Sequence, residues 1–138
     1  MKKVPIILLV LALFPCVAQA EVIIVASKTA SFNSLSKDDI SAVYHGKTKK
    51  LADGKLLKAL DQDDNATRAQ FLKTYLAQSG TQYNTYWSRI TFTGKGLPPE
   101  NARNDAGVID ALQSKPDAIG YIDSNSLTNS VKQIQVQK

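Results

Sequence analysis

Apolar positions along the chain switch between two periods, and the switches divide it into short strands and helices. Residues 21–27, EVIIVAS, are apolar and β-branched on both faces, the pattern of a strand covered on either side. KTASFNSL after it is polar and reads as a loop. SKDDISAVYHG then reads as a short helix: Ser36 and Asp39 have capping-box spacing, Ile40, Val43 and Tyr44 form an apolar stripe, and Gly46 suits the stop. KLLKALDQ predicts a second strand. NATRAQFLKTYLAQSG carries the clearest helical period, with Phe71, Leu72, Tyr75 and Leu76 on one face and Gly80 as its end.

TQYNTYWSRITF is another helix, expected to be short, with Tyr83, Tyr86, Trp87 and Ile90 on one side. TGKGLPPENARN holds two Gly and two Pro and reads as a loop. DAGVIDALQSK is a helix with Val108, Ile109 and Leu112 inward. AIGYIDS and VKQIQVQ close the chain as strands, the last alternating like an edge strand. Strands that alternate with helices predict an α/β domain, a mixed sheet with helices on its faces.

The first twenty residues stand apart. Lys2 and Lys3, the apolar run VPIILLVLALF and the small-residue AQA before Glu21 have the layout of a cleaved secretory signal, with cleavage expected after Ala20. Cys16 lies inside it, preceded by bulky Phe14 and Pro15, which suits no lipid anchor. Removing twenty of the 138 residues leaves 118, from Glu21 to Lys138, as one domain. That part holds no cysteine, so disulfides and thiolate metal sites are excluded. Without Lys2 and Lys3 it has 15 Lys and Arg against 12 Asp and Glu, a mild excess that makes no case for nucleic acid. A periplasmic or secreted protein, not embedded in a membrane once mature, is expected.

Three chemical patterns can be weighed. In DQDDNATR, residues 61–68, Asp61, Asp63 and Asn65 match positions 1, 3 and 5 of a calcium loop. The turn position that needs Gly is Ala66, and the position that needs a bidentate Glu is Leu72, so the loop fails twice. HGKTKK contains the GKT of a phosphate-cradling loop, but the Gly required five residues earlier is Ser41, which leaves a solvated basic turn. His45 is the single histidine and has no nucleophile motif to serve, so no catalytic residue, metal or cofactor is expected and the protein is read as non-enzymatic. Tyr83, Tyr86 and Trp87 read as core before they read as a stacking platform. What remains for DQDDNATR is a helix start, capped by Asp63 or Asp64, whose free N–H groups could also face an anion.

Four segments in order, LSKDDISAVYHGK, NATRAQFLKTYL, YWSRITFTGKG and DAIGYIDSNSL, resemble the phosphate ABC-transporter substrate-binding proteins (PstS-like) over Leu35 to Leu127. The resemblance implies a single lobe of a type 2 periplasmic-binding-protein fold, where full-length members close two lobes on phosphate. It also implies an anion site. The family's Ser-Gly-Thr falls on Asn65, Ala66 and Thr67, and its phosphate-pairing arginine falls on Asp61, a reversal of charge. Arg68 stands one position beyond. The expected ligand-binding set is therefore Asn65, Ala66, Thr67 and Arg68, helped by Ser27 and Thr29 at the end of the first strand. Three readings stay open: an exported binder of phosphate or another oxyanion, an interaction module that docks a membrane transporter or sensor, or a homodimer whose two copies face each other and rebuild a two-lobed clamp. Oligomeric state is open as well.

Overall fold

Strand β1 (Val22–Ser27) organises the molecule, because its residues are buried on both faces. The computed structural model describes Pro5, Ala12, Leu13 and residues 21–138. The signal segment expected at residues 1–20 falls, apart from those three positions, outside the described residues. β1 pairs antiparallel with β5 (Ala118–Asp123) on one side and with β6 (Val131–Gln133) on the other. β5 pairs parallel with β3 (Lys58–Asp61), and β3 pairs parallel with the two-residue β4 (Glu100–Asn101). The sheet is thus mixed, in the order β4-β3-β5-β1-β6, and β2 (Ser34–Ser36) pairs with β7 (Gln135–Gln137) as a separate parallel ribbon.

The two-residue period of β1 builds two cores. Ile24 and Ala26 join a cluster with Ala59, Ile119, Tyr121 and the aromatic residues of the helices α1 (Lys37–Tyr44), α2 (Ala66–Phe71) and α3 (Gly80–Phe92). Ile23 and Val25 join Leu60, Ile122, Val108 and Leu112 under α4 (Asp105–Gln113). Helices therefore cover both sheet faces, as the strand and helix alternation predicts. Gly120 is required where α4 meets β5, since a Cβ there would lie 2.4 Å from Val108 Cγ1.

The Ser36–Asp39 capping box forms, with both reciprocal hydrogen bonds. α1 stops at Gly46, whose φ of +69° few other residues adopt. Its unpaired carbonyls are satisfied from α3: Tyr83 and Trp87 donate to Tyr44 O at 2.7 and 3.2 Å, and Tyr86 donates to His45 O. The aromatic stripe is core, as its spacing suggests, with Tyr83 and Trp87 buried. His45 caps the end of α1, set between Ser41 O and Gln78 Oε1.

Several boundaries differ from the sequence reading. Gly80 does not end the helix that starts near Asn65. That helix passes into a π-helical turn at Leu72–Leu76 and stops at Ala77, which takes a left-handed φ of 52°. Gly80 instead opens α3, because Ser79 and Gln82 form a second capping box. α3 is a full 13 residues. Lys55–Leu57 stay outside β3, and VKQIQVQ is split by Ile134, whose buried side chain ends one pairing and starts the other. Short β2 and β4 arise in segments read as loops.

Candidate functional site

Alternation along β3 sets up the site. Ala59 faces the α1–α3 side, Leu60 the α4 side, and Asp61 returns to the α1–α3 side at the strand's end. There it meets Arg68, carried back over the sheet by the first turn of α2. Arg68 Nε lies 3.2 and 3.3 Å from the two carboxylate oxygens of Asp61, and Nη2 lies 3.2 Å from Oδ2. Nη2 also donates to Asn84 Oδ1 at 2.8 Å, and the guanidinium carbon sits 5.4 Å above the Tyr83 ring. Both partners are nearly closed to solvent, Arg68 at 5% and Asp61 at 8% exposure.

Further donors converge on the same carboxylate. The Tyr121 hydroxyl donates to Asp61 Oδ1, and the Gln62 amide donates to it at 2.8 Å. Tyr121 is held by stacking on Phe71 with centroids 4.0 Å apart. The Gln62 side chain donates to Tyr121 O and to Asp105 Oδ1, both at 2.8 Å, and accepts from Asn65 Nδ2. Asp61 thus sits in a cradle of a guanidinium, a phenol and an amide, donors of the kind that would hold an anion. The carboxylate is itself the anion that fills it.

The electrostatics follow from this burial. Burial, then the charge and hydrogen bond of Asp61, push the Tyr121 hydroxyl far above the usual tyrosine range. Tyr44 is raised by burial and then by Tyr121 and Asp61, and Tyr83 by burial first. Burial alone would lower Arg68, but the hydrogen bonds and charge of Asp61 outweigh it and raise it. Only Arg68 Nη1 is buried and unpartnered among the described side chains.

The expected ligand residues divide into two places. Asn65 is the N-cap of α2, in place of the Asp63 or Asp64 cap read from the sequence. Its Oδ1 accepts the Arg68 amide at 2.8 Å. Among the described residues no group accepts from the Ala66 and Thr67 amides, while the Arg68 side chain is turned inward. Asp63 accepts from Asn101 Nδ2 at 2.8 Å. Ser27 and Thr29 bond each other, Oγ to Oγ1 at 3.0 Å, at the other end of the sheet. β1 runs antiparallel to β5 and β5 parallel to β3, so β1 ends at the edge of the sheet where β3 starts, away from Asp61. The structure does not bring them to the Asn65–Arg68 turn.

Above the pair opens a cleft of about 700 Å³, walled by Asp63, Asp64, Asn84, Ser88 and Phe92 with Trp87 and Pro98 at its side. Its ionisable lining is Asp61, Asp63 and Asp64 against Arg68, a net of two negative charges. A second pocket of about 390 Å³ adjoins it across Trp87, Pro98 and Pro99. Sequence reasoning missed Tyr121, Gln62 and Asn84 as parts of the site. Tyr121 sits in an apolar strand, and only the spacing of Asp61 from Arg68 across a strand, a turn and one helical turn hinted at the pair. Among the described residues no group of His, Cys, Asp and Glu could hold a metal ion, and no helix is long and apolar enough to cross a membrane.

No protein-family model matches the chain. No curated protein matches it in sequence. Its fold does match solved structures. An ABC-type phosphate transport receptor from Vibrio cholerae superposes with a TM-score of 0.59 at 14% identity, over 86% of this chain and 47% of the receptor. PstS from Borrelia burgdorferi gives a TM-score of 0.63 at 11% identity, over 86% and 48%. The chain has the fold of one such lobe and spans about half the length of the proteins it matches.

Two outcomes are expected of the buried cluster. Asp61→Asn and Arg68→Met should each lower the unfolding free energy by about 3–5 kcal/mol, because each strands a buried partner. The double variant should cost less than the two summed by more than ~1 kcal/mol in urea melts, and strict additivity would contradict the coupling. Tyr44, Tyr83 and Tyr121 have folded-state values raised above the unfolded one, so their contribution is complete below about pH 10 and is lost as pH rises beyond it. Each should remove about 1.4 kcal/mol per pH unit there, and phenolate absorbance should rise together with unfolding. A gradual titration of all five tyrosines with native circular dichroism would contradict this.

Proposed function

We propose that this chain is a non-enzymatic, exported module on a solute-binding fold, whose cleft is closed to oxyanions and serves contact with another protein surface. The observation that carries the reading is the Asp61 carboxylate held by Arg68, Tyr121 and the Gln62 amide. An incoming phosphate would have to displace a carboxylate that is covalently part of the chain, against the further charges of Asp63 and Asp64. At 5 Å an exposed like-charge pair already costs about 1 kcal/mol in water, and more near a protein surface.

The basic, apolar and small-residue order of residues 1–20 supports export. The fold shared with phosphate transport receptors supports a binding role without chemistry, and the cleft face supports contact with a protein surface. One observation favours the other reading: among the described residues the Ala66 and Thr67 amides have no acceptor, so a weak oxyanion contact at the turn is geometrically open.

Calorimetric titration with phosphate and with sulfate separates the two. The wild-type protein should give no saturable heat and no thermal shift at millimolar anion. Asp61→Ala, which frees Arg68, should be stabilised by phosphate, with a shift that grows with concentration. Saturable binding by the wild type, lost when Ala66 or Thr67 is replaced by proline, would overturn the reading.

A further inference from the structure

The two pockets form one face, and its charge is laid out unevenly. They share Trp87, Pro98 and Pro99 as a common wall. On this ridge and beside it stand three of the five large apolar side chains exposed among the described residues: Phe92 at 94%, Leu97 at 80% and Leu56 at 52%. Phe92 and Leu97 lie on opposite sides of the wall, Phe92 in the first pocket and Leu97 in the second. Single exposed apolar residues need no explanation, but a cluster of them around a ridge does.

The charges flank this apolar centre with opposite signs. The first pocket carries two net negative charges, as described. The second is lined by Lys49, Lys58 and Lys115 against Glu100, a net of two positive charges. Lys115 is spent on Glu100 at 2.6 Å, and Lys58 has Asp117 at 3.6 Å. Lys49 forms no ion pair among the described residues, and on the acidic side Asp64 forms none. A face that is negative at one end, apolar in the middle and positive at the other is complementary to itself after a half-turn about its centre. That is the condition for an isologous dimer, in which each patch meets its counterpart on the other copy.

Resting on the reading of the cleft as a docking surface, we infer that its occupant is a second copy of this chain, bound about a two-fold axis through the Trp87–Pro98 ridge. The Asp63–Asp64 rim of each copy faces the Lys49–Lys58 rim of the other, and Phe92 and Leu97 meet at the centre. The core of the patch would be apolar and aromatic with a charged rim, the composition of stable interfaces.

A charge exchange tests the arrangement. Sedimentation velocity of the wild-type protein should show a dimer that weakens as salt rises from about 0.05 to 0.5 M. Phe92→Asp should leave it monomeric with an unchanged melting temperature, since this side chain packs on nothing. Asp63→Lys with Asp64→Lys makes both rims positive, and Lys49→Glu with Lys58→Glu makes both negative, so each double variant alone should be monomeric. Mixed in equal amounts, the two should form a heterodimer, because both rim contacts then pair opposite charges. A wild type that stays monomeric at several hundred micromolar would overturn the inference. So would a dimer that survives in all three variants, or a mixture that stays monomeric. None of these failures touches the closed cleft, which the phosphate titration tests separately.

Discussion

The buried pair of Asp61 and Arg68 is the constraint on which the cleft side of this molecule depends. Two charges taken out of water lose several kcal/mol of hydration each, and attraction alone does not restore it unless the remaining lone pairs and protons are also satisfied. Here the carboxylate receives the guanidinium edge, a phenol and a backbone amide, and the guanidinium also reaches Asn84 and lies over Tyr83. Those groups come from β3, α2, α3 and β5, so the pair can form only when four elements are in register. It ties the start of α2 to the sheet, where a six-residue helix leading into a π-helical turn has little stability of its own.

The same contacts decide what the cleft can do. An arginine at the end of a strand, next to a helix start, is a common way to hold an oxyanion. In this chain the guanidinium is already committed, and what the cleft presents outward is Asp63, Asp64, amides, hydroxyls and the aromatic wall of Trp87 and Phe92. The fold is that of a lobe found in phosphate transport receptors, at about half their length. At this point of the lobe the chain itself places a buried carboxylate on the guanidinium. The acidic rim and the exposed apolar side chains are the basis of the proposed contact with another protein surface.

Much of the architecture could be read from the chain because local and global signals agree. The two-sided apolar β1, both faces of which are filled, and the capping box at Ser36 needed no tertiary information. The departures have tertiary causes. Ala77 takes the left-handed stop because Ser79 starts the next helix too soon for Gly80 to serve. β2, β4 and β7 are strands only through their partners, and two or three residues carry no period. At the site, the acidic character of the turn at Asp61, Asp63 and Asp64 was legible. The direction of the Arg68 side chain was not, because a residue in a first helical turn can face either solvent or sheet, and the choice depends on Asp61 and Asn84, the former held by Tyr121 from a strand 60 positions beyond it. The antiparallel run of β1 likewise could not be read locally, and it is what separates Ser27 and Thr29 from the turn at Asn65.

The most direct measurement is the side-chain Nε–H resonance of Arg68 in nitrogen-15 NMR spectra, followed during addition of phosphate. A guanidinium locked on Asp61 and buried at its Nε should give a resolved, slowly exchanging signal that stays in place up to millimolar phosphate. An Arg68 signal that exchanges freely with water, or that moves in a saturable way as phosphate is added, would contradict the account.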